Sequence, residues 1–114
     1  NFQRQLDSFK SDIQSYALLL SNLSIENIDK LDKEIISRSK NWDSKRITLM
    51  DKLILRLVLA EIIFVDEVPP KVSIAEGIEI AKTMSTDDSS AFVNGILDSY
   101  FNDLLKNKNN RKKA

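Results

Sequence analysis

Phe2, Leu6, Phe9, Ile13, Tyr16, Leu20 and Leu23 follow one another at steps of 4, 3, 4, 3, 4 and 3 residues. That spacing puts them in one stripe of a helix of about 20 residues. A coiled-coil seam has the same spacing, but oppositely charged flanks are missing, so the stripe reads as the inner face of a helical bundle. Ser24 stands where it can cap a second helix, with Ile28, Leu31, Ile35 and Ile36 turned inward. The polar run from Ser37 to Asn41 ends it. Trp42 and Asp43 then introduce a third helix, expected from Ser44 to Phe64. Here Ile47, Met50, Leu53, Ile54, Leu57, Val58 and Ile62 form a stripe, and Leu55, Leu59, Ala60 and Ile63 nearly close the ring. A helix apolar almost all round is buried on most sides, so this one is expected at the centre.

Pro69-Pro70 cannot continue a preceding helix, because proline lacks the N–H and bars its predecessor from the α region. Ser73, followed three residues later by Glu76, has the spacing of a capping box and predicts a fourth helix from Ile74 to about Met84. The polar segment Ser85-Thr86-Asp87-Asp88 opens a fifth, running to about Leu105 with Val93, Leu97, Tyr100 and Leu104 along one face. Gly95 falls inside that pattern. Glycine in a helix interior costs about 1 kcal/mol relative to alanine, so a close approach of another group to the backbone is expected there. The product is an all-α fold, a compact bundle of about five helices with short connections.

Composition narrows the chemistry. At 114 residues the chain is one domain. It has 42% hydrophobic and 30% charged residues, as soluble globular proteins do, and only two glycines and two prolines, too few turns for an all-β fold. Cysteine and histidine are both absent, which removes disulfides, Cys/His zinc sites, thiol nucleophiles and histidine acid–base catalysis. No apolar run reaches the length of a membrane span and no signal peptide is visible, so a cytoplasmic protein is expected. Seventeen basic and 17 acidic residues cancel, but unevenly. Lys106, Lys108, Arg111, Lys112 and Lys113 carry five of the positive charges. That leaves residues 1–105 with 12 basic side chains against all 17 acids. An acidic body with a basic tail is not the footprint of a strong, autonomous nucleic-acid binder. Residues 1–105 are expected to form the helical domain and 106–114 a disordered basic tail. The chain begins at Asn1, already inside a helical pattern, and reads as lacking upstream helices.

Nothing in the pattern calls for an enzyme, a metal or a cofactor. Asp87-Asp88 at a helix start answers the helix dipole, and Gly77 and Gly95 are isolated, not a phosphate-cradling loop. Arg38, Lys40, Lys45 and Arg46 surround Trp42, and basic residues interleaved with an aromatic can follow and stack on single-stranded RNA. One aromatic alone gives no stacking platform, so these residues read rather as a solvated loop with the indole plugging the end of the bundle. Phe92 reads as core by periodicity, while Asn94 beside it is either a buried hydrogen-bonding group or one offered to a ligand. Arg56 lies five residues from both Asp51 and Glu61, an unfavourable spacing for a helical pair. A carboxylate on a packed helix, Asp98 or Glu79, is its expected partner.

The segments LILRLVLAE (Leu53 to Glu61), VPPKVSIAEGIEIAK (Val68 to Lys82) and FVNGILD (Phe92 to Asp98), in that order, resemble the NusB family of bacterial transcription antitermination factors. The resemblance is clear over about residues 35–105 and fainter over the first helix. It implies an RNA-binding protein that acts with NusE, which is also a small-subunit ribosomal protein. The RNA would be the boxA element of ribosomal RNA leader transcripts, within an antitermination complex on RNA polymerase. It further implies that Asp51, with Lys52, lies on an outward NusE-facing surface, and that Asp88, Ser89, Ser90, Phe92 and Asn94 belong to the RNA-binding region. Family members often carry a lysine where this chain has Ala91, and an arginine-rich N-terminal helix that is not seen here. RNA binding by this chain alone is therefore expected to be weak. Two alternatives stand beside it: the related RNA-binding domain of ribosomal RNA cytosine methyltransferases, and a helical protein-interaction domain with no RNA role.

Overall fold

The computed structural model describes the backbone of residues 1–43, 47–84 and 87–113, and their side chains except at 87–89 and 109–113. Five helices follow in order: α1 (Phe2–Glu26), α2 (Ile28–Arg38), α3 (Leu49–Phe64), α4 (Pro70–Met84) and α5 (Asp87–Lys113). No strand occurs among the described residues, so the all-α expectation holds. α3 touches each of the other four helices and contributes Ile54, Leu55, Val58, Leu59 and Ala60 to the core. Against it lie Leu31 and Ile35 of α2, Ala81 of α4, and Phe92, Val93, Ile96 and Leu97 of α5. The near-continuous apolar circumference of α3 thus predicted its burial correctly. α3 and α4 approach closely at Gly77, where an added Cβ would stand 2.5 Å from Val58 Cγ2.

Four local expectations need correction. α3 begins at Leu49, not Ser44. Thr48 is its N-cap: the Asp51 amide donates to Thr48 Oγ1 (3.1 Å) and the Thr48 amide to Asp51 Oδ2 (3.0 Å). The capping box therefore lies here and not at Ser73. α4 starts three residues before Ser73, because proline's fixed φ suits the first helical position, and the Pro69 carbonyl accepts from the amides of Val72 and Ser73. Ser24 does not cap α2. It lies inside α1 and its hydroxyl donates back to the Leu20 carbonyl at 2.8 Å, while Asn27 forms the joint between the helices, its amide and Nδ2 both donating to the Leu23 carbonyl. The last helix does not stop at Leu105 but continues to Lys113.

The larger correction concerns α1. Its stripe was expected to be bundle core, yet Phe2, Phe9 and Ile13 are 77%, 63% and 52% exposed. Only the C-terminal part reaches the rest of the molecule: Leu23 packs on the core and the Tyr16 hydroxyl donates to Glu61 Oε2 at 2.5 Å. Glu61 Oε1 also accepts from Ser73 Oγ at 2.6 Å, so one carboxylate joins α1, α3 and α4. Arg56 pairs with neither Asp98 nor Glu79. It forks onto Asp32 (2.8 and 3.0 Å), because α2 is the helix packed across from it.

Candidate nucleic-acid and partner surfaces

The first half of α5 holds the residues expected to meet RNA. Asp87 to Ser89 open α5, and the backbone amides of a helix's first turn have no acceptor within the helix itself, the arrangement that suits an anion. The side chains of Asp88 and Ser89 lie outside the described residues. Ser90 is half-buried and Asn94 is exposed. Phe92 is 3% exposed and belongs to the core, as its periodicity indicated; it can shape a surface here but not offer its ring to a ligand. The close approach expected at Gly95 is present. The indole of Trp42 lies on it, and an added Cβ would stand 3.0 Å from Trp42 Cζ2. The same indole meets Phe92 edge to face, with centroids 5.3 Å apart and planes at 78°. Trp42 nevertheless remains 39% exposed.

Of the basic residues around Trp42, Arg38 is committed elsewhere. Its guanidinium donates to Glu34 Oε2 (3.0 Å), to Ser99 Oγ (3.0 Å) and to Asp103, and lies 5.0 Å from the Tyr100 ring centroid. The hydrogen bond and charge of Arg38 hold the Asp103 carboxyl below its ordinary range. Arg38 thus ties the end of α2 to α5 and has little left for phosphate. Lys40 is exposed; Lys45 and Arg46 lie outside the described residues. No sequence signal could have assigned Arg38 to Ser99 and Asp103, more than sixty positions away.

The second surface is on α3. Asp51, expected to face outward, is fully buried. Its side chain closes the capping box, which needs the carboxylate beside the helix's own first turn. Lys52 is exposed. Along the same side of α3, Leu53, Arg56 and Leu57 line a groove of about 280 Å³ whose other wall is Ser21, Ile25 and Ile28. Leu49, Leu53, Leu57, Ile25 and Ile28 are all exposed. A contiguous apolar groove with a lysine beside it has the character of a protein interface. A wider depression of about 650 Å³ lies between Pro70, Lys71 and the Phe101–Lys108 stretch of α5.

Burial and the acceptor Glu61 push the Tyr16 phenol up to about 12; burial likewise raises that of Tyr100. Among the described residues no group of three or more acids is placed to hold a metal ion, and no helix is long and apolar enough to cross a membrane.

The model of the NusB family matches residues 2–102, an unbroken span that includes both surfaces. Three curated relatives bear the name transcription antitermination protein NusB. That of Chloroherpeton thalassium is 45% identical over 91 residues, covering 80% of this chain and 43% of the relative. That of Thermodesulfovibrio yellowstonii is 42% identical over 97 residues, 85% of this chain and 64% of the relative. That of Natranaerobius thermophilus is 46% identical over 80 residues, 70% and 58% respectively. The chain thus spans about half the length of the curated relatives it matches.

Proposed function

This chain belongs to the NusB family, and we propose that it acts as an RNA-binding transcription antitermination factor in the cytoplasm. In this reading it binds the boxA element of ribosomal RNA leader transcripts together with NusE, as part of the antitermination complex on RNA polymerase. The observation that carries the reading is the family match running unbroken through α1 to α5, over relatives named for antitermination. The two surfaces support it. RNA is assigned to the start of α5, at Asp88, Ser89, Ser90 and Asn94, with Phe92 holding the helix in place from below. NusE is assigned to the exposed side of α3, at Lys52 and the groove of Leu53 and Leu57. Asp51 serves that surface from inside, by fixing where α3 begins.

The test uses the charge at position 88. Amide donors at a helix start suit phosphate, whereas a carboxylate there repels it. Asp88→Asn removes the charge and keeps the side chain's shape, so it should raise affinity for a boxA-like single strand by about 1 kcal/mol, the effect being screened at physiological salt. Filter binding with NusE present, at two salt concentrations, is the measurement. Unchanged or weaker binding by the folded variant would take the α5 start out of the RNA site. Lys52→Glu, unlike a change at buried Asp51, probes the NusE surface without unseating α3. The acidic body and the apolar α1–α3 groove also suit a protein-interaction domain with no RNA role; that second reading is favoured if NusE binds while boxA RNA adds nothing.

A further inference from the structure

We infer that the exposed indole of Trp42 is a stacking platform for a base of single-stranded RNA, held in place on α5 by Gly95 and Phe92. This rests on the RNA-binding reading above and extends it to a residue outside the α5 start. The seating of the ring is the first observation. Glycine is a poor residue for a helix interior, and at position 95 its missing side chain lets the indole lie directly on the helix, a Cβ there being only 3.0 Å from Cζ2. Phe92, itself buried, holds the ring edge to face. Four residues earlier Arg38 grips Ser99 and Asp103, so the segment carrying Trp42 is fixed to α5 at a second place. A ring that served only as a plug would be covered; this one is anchored and still 39% exposed.

An anchored, half-open aromatic ring suits a base. Stacking needs only a π-face, which every base has, and a ring already immobilised loses little entropy on binding. Position supports the same occupant. Gly95 is seven residues, two helical turns, beyond Asp88 and one turn beyond Ala91, so the ring and the helix start lie along one line of α5 positions. Ala91 on that line is exposed and small. Charge decides how a strand would lie. Lys40, exposed two residues before Trp42, favours phosphate on its side of the ring. The contact is therefore made through the base, with the backbone toward Lys40.

Trp42 is the only tryptophan in the chain, so its emission reports on this ring alone. The experiment titrates the chain with a single-stranded RNA of about 12 nucleotides. NusE is present, any tryptophans of its own replaced by phenylalanine. Binding is followed in parallel by the anisotropy of dye-labelled RNA. Saturable quenching of Trp42 with the same midpoint as the anisotropy is expected, with none from an RNA duplex of equal length. Trp42→Leu should weaken binding about tenfold and Trp42→Phe by less, as loss of one stacked base requires, with circular dichroism confirming the fold. If Trp42→Leu does not fold, the emission measurement on the unaltered chain decides. Three results overturn the inference: RNA bound with unchanged emission, wild-type affinity in folded Trp42→Leu, or quenching by NusE alone to which RNA adds nothing. All three leave the broader RNA-binding reading standing. Absence of any RNA binding with NusE present removes that reading, and this inference with it.

Discussion

α1 and α3 are both rich in apolar residues, and they end up in opposite environments. α1 has the regular stripe, seven apolar positions at alternating steps of 4 and 3, yet its first half projects with Phe2, Phe9 and Ile13 open to solvent. α3 has hardly a stripe at all, being apolar around most of its circumference, and it is the helix on which the other four converge. The difference teaches what periodicity measures. A stripe shows that a helix has one face to cover; it does not show that the cover is in the same stretch of chain. Apolarity on nearly every side calls for neighbours on most sides, and α1, α2, α4 and α5 provide them everywhere but along Leu49, Leu53 and Leu57, which stay exposed.

The strongest way to break this contrast is to truncate the middle of α3. Leu59 is fully buried, among residues of α2, α4 and α5, and Leu59→Ala should lower stability by about 2–5 kcal/mol through lost burial and the cavity left behind. Urea unfolding followed by circular dichroism measures it. A loss below about 1 kcal/mol would mean that α3 is not the centre of the fold.

The same contrast explains what could be read without coordinates. Burial of Leu55 and Leu59 and the close approach at Gly95 were legible, because each follows from a local property: apolar coverage in one case, an unfavourable residue in a helix in the other. The start of α3 was also within reach, since Thr48 and Asp51 stand three apart ahead of an apolar run, a signal the flanking Trp42–Arg46 segment obscured. Asp51 was misread for a related reason. An acid on an apolar helix was expected to turn to water, whereas a first-turn carboxylate can be buried if it satisfies amides. The Arg56–Asp32 and Arg38–Asp103 pairs depend on which helix faces which, and no single-helix pattern carries that. At the candidate site, burial of Phe92 was legible from spacing. That Trp42 sits on Gly95 was not, since it requires the end of α2 to run beside α5.

A middle-sized effect locates the point on α1 where the two environments meet. Tyr16 is the first residue of the stripe hydrogen-bonded to the rest of the molecule, through Glu61. Tyr16→Phe removes that bond and should cost about 1 kcal/mol. Its pH dependence is more specific. Because the phenol is pushed up to about 12 from an ordinary value near 10, the folded chain keeps this proton when the unfolded chain has lost it. The contribution is therefore fully present below pH 10 and is lost as pH rises through the interval to 12. Subtracting the Tyr16→Phe stability curve from that of the unaltered chain should show this decline, leaving the Tyr100 contribution to cancel. A flat difference above pH 10 would place Tyr16 outside the folded contact.

The smallest expected effect tests the exposed half directly. Phe9 lies in the same stripe as Tyr16, seven residues earlier, and is 63% exposed. If the stripe's regularity governed stability, Phe9→Ser would cost nearly as much as a core truncation. If coverage governs it, the change removes a ring from water and leaves no cavity. The expected loss is then within about 0.5 kcal/mol, part of it from the lower helix propensity of a polar residue that competes for backbone hydrogen bonds. Measured beside Leu59→Ala in one urea series, the two values should differ severalfold. A large cost at Phe9 would carry a definite meaning, because its ring is mostly open to solvent in the described fold. Repeating the measurement over a range of protein concentrations separates the cases: a cost that grows with concentration belongs to contact with a second copy, and one that does not belongs to packing of α1 against its own chain.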